Sequence, residues 1–422
     1  MTATSQRHGG LFYGWWVVGA SVMGLALSWP TIAIYTFGPF VIPLSEEFGW
    51  PRGQMSVAVA IVTWTAMAMS IVLGLFIDRT GVRRVMIPSF VLLGLTVASM
   101  YWLTPALLHF YIMFFLIALL GAGTSVLAFS KLIMNWFDRH RGLALGITMA
   151  GVGIGAAVMP IVVTQIIVGM GWRQAYLAMG IMVLVVGGGP VALLVRERPR
   201  EMGLEKDGAA APVDRKAGAR VEQGYLLSEA VRTRPFWFMV VAFFLVGVCA
   251  HGSLAHLVPL LQDRGIPPER SAEIASTLGI ALIFGRVVAG YMMDRIFAPL
   301  VGIVFMAGPV LGLALLALGA VGPAAVLAAI LLGLAIGAEF DFLGYFTSRY
   351  GGLKSFGLLY GLMLASFQLG GGLGPILMGY SFDQLGSYTL VLWVFAGLFV
   401  LVCLLFALLG PYPDLPEHPE TA

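Results

Sequence analysis

Long apolar runs alternate with short polar breaks along the whole chain. The runs fall at 12–40, 54–77, 85–104, 106–129, 142–168, 173–195, 235–262, 271–293, 299–320, 324–346, 356–379 and 387–409. About twenty apolar residues, rising 1.5 Å each, cross a hydrocarbon core about 30 Å thick. The pattern therefore predicts twelve membrane-spanning segments. Lipid offers no partner to an unpaired backbone group, and nowhere does the sequence alternate residue by residue as a barrel strand does, so all of them are predicted as helices. The first run is too long for a cleaved signal peptide and lacks a small-residue cleavage site before polar sequence. One polar stretch is long: residues 196–234, rich in Arg, Glu, Lys, Ala and Gly, read as a linker with a short amphipathic helix near Leu226–Val231. Six runs precede it and six follow, which divides the chain into bundles at 1–195 and 235–422.

Composition narrows the function class. Of 422 residues, 59% are hydrophobic and 11% charged, and the mean hydropathy is +0.93. A soluble domain carries about 25% charged residues, so too few charges are present to clothe a water-facing surface. A soluble enzyme, a nucleic-acid-binding protein and a disulfide-stapled secreted domain are excluded on that ground. Cys249 and Cys403 lie in apolar runs and show no zinc or redox spacing. No cofactor is expected, since there is no phosphate loop and Gly187-Gly188-Gly189 lies in an apolar run rather than after a strand. The net charge is only +3, but its distribution is uneven. With both termini placed in the cytoplasm, the loops and tails on that side hold 19 Lys and Arg, and the opposite loops hold 4: Arg52, Arg173, Arg264 and Arg270. That bias predicts cytoplasmic termini.

The two halves repeat. Gly142, Gly146, Gly155 and Pro160 recur at an offset of 215 as Gly357, Gly361, Gly370 and Pro375, while Gly74, Asp78 and Arg79 recur at 216 as Gly290, Asp294 and Arg295. A parallel repeat of six helices places a pseudo-twofold axis along the membrane normal and a binding site between the halves near the midplane. The segment Gly74-Leu-Phe-Ile-Asp78-Arg79-Thr-Gly81-Val-Arg83-Arg84 resembles the signature between the second and third helices of the major facilitator superfamily. Within it, Asn135-Trp136-Phe137-Asp138-Arg139-His140-Arg141-Gly142 and Tyr13-Gly14-Trp15-Trp16 are similar to segments of monocarboxylate transporters and their bacterial relatives. The resemblance implies an all-α membrane protein of the major facilitator fold, with twelve helices in two pseudo-symmetric bundles and cytoplasmic termini. The signature also has a physical reading. A carboxylate at Asp78 can accept bonds from arginines and from a facing helix N-terminus. Asp78, Arg79, Arg83 and Arg84, with the partial copy Asp294 and Arg295, therefore form a candidate gating latch.

Titratable groups inside the spans are the remaining candidates, because they are costly there unless used. Arg286 is the one Lys or Arg within a predicted span, eight residues before Asp294, or about 12 Å deeper. Its guanidinium offers a planar fork matched to a carboxylate. The resemblance implies the same role, since an arginine at this place in the eighth helix binds the carboxylate in monocarboxylate transporters. Animal members have an aspartate one turn earlier, where Leu282 stands, and a lysine in the first helix that is missing here, so proton coupling must use other groups. Glu339 and Asp341 in the tenth span lie at Arg286's depth. Two residues apart on a helix they face about 200° differently, so one is expected to pair with Arg286 and the other to meet the eleventh span or backbone. His251 and His256 lie on the seventh span, His251 deeper and His256 nearer the interface. His251 is a candidate for both proton and substrate, and Tyr35 and Gln368 are further substrate candidates. Thr124, Ser125, Tyr345 and Tyr360 are weaker candidates.

These residues point to a secondary transporter, not an enzyme. The expected cargo is a small organic anion, a lactate- or pyruvate-like monocarboxylate moved with a proton. The expected setting is a bilayer, taken as the bacterial inner membrane, with the monomer sufficient and nucleic acid no partner. The alternatives are an oxalate/formate-type antiporter and a drug or siderophore efflux carrier. The first of these would be expected to place a cation in the eleventh span, and 356–379 contains no Lys, Arg or His.

Overall fold

The computed structural model describes residues 12–138, 140–208, 224–352 and 354–416, apart from the side chains of Ile71, Gly74, Leu75 and Asp78. Twelve helices among these residues are long and apolar enough to cross a membrane. They are α1 (Gly14–Tyr35, continued by Phe37–Phe48), α2 (Arg52–Thr80), α3 (Val82–Trp102), α4 (Leu107–Trp136), α5 (Arg141–Met170), α6 (Trp172–Leu194), α7 (Arg234–Gln262), α8 (Pro268–Met293), α9 (Ala298–Ala317), α10 (Gly322–Gly351), α11 (Phe356–Leu385) and α12 (Thr389–Ala407). No strand is present among the described residues. Several helices outrun the apolar run that predicts them, because hydropathy measures the hydrocarbon depth while backbone bonding continues into the headgroups. The extension of α4 to Trp136 carries Lys131 into the helix, so Arg286 is not the sole cation within a span as the sequence had indicated. Part of the polar stretch, 209–223, lies outside the described residues, and the expected short helix is present as Leu227–Ala230.

Two hydrophobic cores form. One is drawn from residues 17–195 and the other from 230–409, with Ala255 of α7 reaching the first. Helices α1, α4 and α6 of the first bundle are interrupted, α6 by a wide turn at Val183–Gly188, and the interruptions of α1 and α4 meet. In α1, Pro30 has no N–H to give, and the chain passes through a wide turn at Thr31–Tyr35 in which the Thr36 N–H reaches back five residues to the Thr31 carbonyl at 3.1 Å. In α4, Ala122–Thr124 tightens and Ser125 is extended. The Trp29 N–H donates to Thr124 Oγ1 at 3.1 Å, and Thr124 donates to the Gly121 carbonyl at 2.8 Å. Thr124 thus staples α1 to α4 within the first bundle.

The bundles touch through α2 against α11, α5 against α8, and the second half of α1 against α7. A close backbone approach is at Gly279 of α8, where a Cβ would lie 2.7 Å from the Ala157 Cα of α5. Gly279→Val should therefore cost about 1–3 kcal/mol by overpacking. The control is Gly290→Val, because a Cβ at Gly290 meets nothing within 4 Å. Thermal melting in detergent should separate the two variants, and equal melting temperatures would contradict the backbone contact.

Among the described residues, the hydrogen bonds and ion pairs joining the bundles all lie toward one face. They involve Arg52, Gly53, Ser56, Trp64 and the Ala157 carbonyl on one side, and His256, Asp263, Ser276, Leu369, Asp383 and Tyr388 on the other. On the other face, where the described residues begin at Phe12 beside Phe137 and end at Pro416 beside Gly224, a Cβ at Gly142, Gly146, Gly357 or Gly361 would meet nothing within 4 Å. The bundles part there and leave a cavity open toward the termini.

Candidate transport site

Arg286 stands where the bundles begin to part, three residues past Ile283, whose side chain packs on Gly153 of α5. Its position is set by α8 and α10, which press backbone to backbone. A Cβ at Gly337 would lie 3.0 Å from the Leu282 Cα, and one at Gly285 would lie 2.8 Å from the Leu334 Cα. Glycine at both places lets the helices close to that distance. Leu282 is consequently buried in the seam between them.

The approach brings Arg286 Nε to 3.8 Å from Asp341 Oδ2 and to 3.4 Å from the Gly337 carbonyl. Both contacts are loose and both use Nε. The two terminal nitrogens of the guanidinium have no hydrogen bond among the described residues, and the side chain remains 24% exposed. The fork is therefore free to receive a planar anion. Asp341 is the acid that faces Arg286, and its Oδ2 has no hydrogen-bond partner.

Glu339 is buried with Oε2 unpartnered, makes no ion pair with Arg286, and lies within its electrostatic reach. Tyr35, delivered by the wide turn in α1, packs against the second bundle and lies within the electrostatic reach of both Glu339 and Arg286. Tyr360 of α11 is similarly within reach of Asp341 and Arg286. One arginine, two acids and two phenols from α1, α8, α10 and α11 are thus gathered at the blind end of the cavity. Tyr360 is a fuller member of this group than its sequence indicates.

His251 is not brought to Arg286. Its ring packs on α11, 5.3 Å from the Phe367 ring, and Phe367 in turn meets Phe340 of α10 at 5.4 Å. The imidazole lies near the Gly247 carbonyl one turn back, but Nδ1 has no bond of hydrogen-bonding geometry. Gln368 is half-buried beside Leu369, whose carbonyl accepts the Trp64 indole N–H of α2 at 3.3 Å. Tyr345 donates to the Met293 carbonyl at 3.0 Å, and Ser125 Oγ is buried without a partner.

The side chain of Asp78 lies outside the described residues. Arg79 and Arg84 are exposed. Arg83 is bound within its own bundle, donating to the Ala192 carbonyl at 3.1 Å, while Glu197 accepts the Val82 and Arg83 N–H groups at 2.9 Å each and so caps α3. Glu197 is a partner that sequence reading did not identify. In the repeat, Arg295 stacks 3.6 Å from the Tyr291 ring centre, and Asp294 is exposed. None of the described latch residues bridges the bundles, as expected where that face is open.

His256 is fully buried, not interfacial, and joins Ser56 and Tyr388. Arg52, which reads in the sequence as a loop cation, is nearly buried and ion-paired to Asp263.

A family model described as the Major Facilitator Superfamily matches residues 23–353. Three curated relatives are similar over long stretches. The uncharacterised MFS-type transporter YhjX of Escherichia coli (strain K12) is 24% identical over 301 residues, 66% of this chain and 66% of that protein. Monocarboxylate transporter 11 of Mus musculus is 26% identical over 421 residues, 96% of this chain and 88% of the relative. Monocarboxylate transporter 13 of Bos taurus is 27% identical, covering 92% of this chain and 87% of the relative. Among solved structures, a bacterial homologue of the human lysosomal transporter Spinster, in an inward-facing and occupied conformation, superposes with a TM-score of 0.73 at 15% identity, covering 95% of this chain and 97% of that one. A variant of the nucleoside transporter NupG gives 0.74 at 13% identity, covering 95% and 100%. Both structures share the fold.

Proposed function

This chain belongs to the major facilitator superfamily, and from that premise we propose that it carries a small monocarboxylate of the lactate or pyruvate type together with a proton. It is a multi-pass membrane transporter and not an enzyme. The observation that carries the substrate reading is the free guanidinium fork of Arg286 at the blind end of a cavity open to one face. One fork neutralises one carboxylate. The absence of Lys, Arg and His from α11 favours a monoanion over a dicarboxylate. The named monocarboxylate relatives support the same class.

Alternating access follows from the arrangement of contacts. The face away from the termini is closed by bonds between the bundles, and rocking the bundles about α2–α11 and α5–α8 would open it and close the other. The excess of Lys and Arg on the terminal face supports a cytoplasmic placement of that face, and the bacterial inner membrane is the proposed setting. Each chain holds a complete cavity, so the monomer suffices.

The test is uptake of a panel of labelled carboxylates into proteoliposomes, with and without an inward proton gradient. Saturable monocarboxylate uptake, raised by the gradient and showing counterflow, is the expected result. Uptake confined to exchange of dicarboxylates, or no carboxylate uptake at all, would overturn the reading.

The latch belongs to the same cycle. Asp78→Asn removes a charge-assisted contact of about 1.5–3 kcal/mol from the state closed on the terminal face. Labelling of cavity cysteines from that face should rise, and unchanged labelling with unchanged transport would leave Asp78 without a gating role.

A further inference from the structure

The closed face holds a cluster that the substrate site does not use. Arg52 is the first residue of α2, and its guanidinium reaches Asp263, just past the end of α7, through two bonds: Nη1 to Oδ2 at 2.5 Å and Nη2 to Oδ1 at 2.9 Å. It lies 3.7 Å from the centre of the Phe382 ring of α11. Asp383 takes hold of the same helix by its backbone. Its Oδ1 accepts the Arg52 N–H at 2.9 Å, and its Oδ2 accepts the Gly53 N–H at 2.7 Å. These are N–H groups that a helix start leaves unpaired, at the positive end of the helix dipole. Two carboxylates of the second bundle thus capture one end of the first bundle, one by its side chain and the other by its main chain.

Beneath the ion pair the hydrogen bonds close on themselves. Arg52 Nη1 donates to the Tyr388 hydroxyl at 2.8 Å. That hydroxyl lies 3.1 Å from His256 Nδ1. His256 Nε2 lies 3.1 Å from the Pro375 carbonyl and 2.9 Å from Ser56 Oγ. Ser56 donates back to the Arg52 carbonyl at 2.8 Å. A carbonyl can only accept, so these partners assign the hydrogen to Nε2, leaving Nδ1 to accept from Tyr388. The circuit leaves α2 by the Arg52 side chain, passes Tyr388 before α12 and His256 of α7, and returns to α2 at Ser56. It is satisfied throughout with a neutral imidazole, and it crosses the bundle boundary twice.

Two cavities, of about 480 Å³ and 670 Å³, flank the cluster. Arg52 and Asp263 line the first, and Gly53 and Asp383 line the second. Ions that separate here can enter water rather than lipid, which keeps the pair dissociable. By contrast, Glu47 on the same face pairs with Arg173 of its own bundle at 2.5 Å and crosses nothing.

We infer that Arg52, Asp263 and Asp383, with the Tyr388–His256–Ser56 circuit beneath them, form the lock that holds the face opposite the termini closed. Opening that face requires the two carboxylates to release α2. His256 acts as a positioning residue that orients the Tyr388 hydroxyl toward Arg52 and makes no contact with cargo.

The experiment reads the conformation directly and needs no knowledge of the cargo, so its failure is separable from a failure of the proposed function. Cys249→Ser and Cys403→Ser give a background without native thiols. Ser253→Cys then places a reporter one turn below His256, at a residue only 3% exposed. A membrane-impermeant maleimide is applied to each face in vesicles of defined orientation. From the face opposite the termini, Arg52→Gln and Asp263→Asn should each raise labelling about tenfold, and Tyr388→Phe about threefold. Exchanging the charges, Arg52→Asp with Asp263→Arg, should bring labelling down from the level of the singles to about the threefold of Tyr388→Phe, because the Tyr388 bond is still lost. Melting in detergent identifies any variant that does not fold, and Tyr388→Phe, which removes one oxygen, carries the test if Arg52→Gln is lost. Unchanged labelling in the folded single variants overturns the lock. A folded charge-exchange protein labelled as strongly as the singles also overturns it.

Discussion

Arg286→Lys is expected to lower monocarboxylate uptake by about 30- to 150-fold while leaving the protein folded. Lysine keeps the charge, so a purely electrostatic role would survive the change. It cannot present two parallel N–H groups to a carboxylate, and that loss of about 2–3 kcal/mol sets the size of the fall. Arg286→Gln should be worse, because it also strands Asp341 without a counter-charge. Initial rates in proteoliposomes, with melting temperature as the folding control, are the measurement. Near-normal uptake in both variants would remove Arg286 from the substrate site. The geometry makes this the most sensitive single position, since the guanidinium is held by Nε alone and its terminal nitrogens have no bonds to lose.

The second large effect concerns coupling, and it should divide the acids. Asp341 lies 3.8 Å from Arg286 Nε, whereas Glu339 is more deeply buried, within Arg286's electrostatic reach but without an ion pair to it, and has one oxygen unpartnered. When cargo takes the guanidinium, Asp341 gives up its counter-charge in a place where an unpaired carboxylate is costly. In the proposed cycle it takes up a proton instead, so that cargo and proton move together. Asp341→Asn should therefore retain counterflow of labelled monocarboxylate yet lose most of its response to a proton gradient. Glu339→Gln and His251→Ala are measured beside it. If Glu339→Gln behaves this way and Asp341→Asn does not, the proton sits on Glu339. If all three accumulate cargo under a gradient as the parent does, coupling by these groups is wrong.

Much of this architecture can be read from the sequence, because transfer of apolar residues into lipid outweighs every local preference. All twelve runs correspond to helices. The places where the reading fails are instructive. The wide turn after Pro30 and the interruption at Ala122–Thr124 are invisible to hydropathy, since the bond that joins them, from the Trp29 N–H to Thr124 Oγ1, spans 95 residues of sequence. Whether Glu339 or Asp341 would meet Arg286 depends on the rotation of α10 against α8, which Gly285 and Gly337 set by contact rather than by period. The roles of Arg52 and His256 are not legible in the sequence for a related reason. Arg52 binds residues 211 and 331 positions away, and in a linear reading it is one more charge at a loop. An interfacial histidine and a buried one have the same neighbours in sequence. Only the meeting of two bundles separates them.

The confinement of bonds to one face also makes the molecule a rectifier of affinity. A solute arriving on the terminal side meets a cavity already formed. One arriving on the other side must wait for a rarer arrangement, and its apparent affinity is scaled by the fraction of molecules in it. If that fraction is about one in a hundred, half-saturation from that side needs about a hundredfold more solute, although Arg286 presents the same surface to both. The position of equilibrium across the membrane is untouched, because the same ratio enters both directions of travel. What the asymmetry sets is the concentration at which each side begins to be heard.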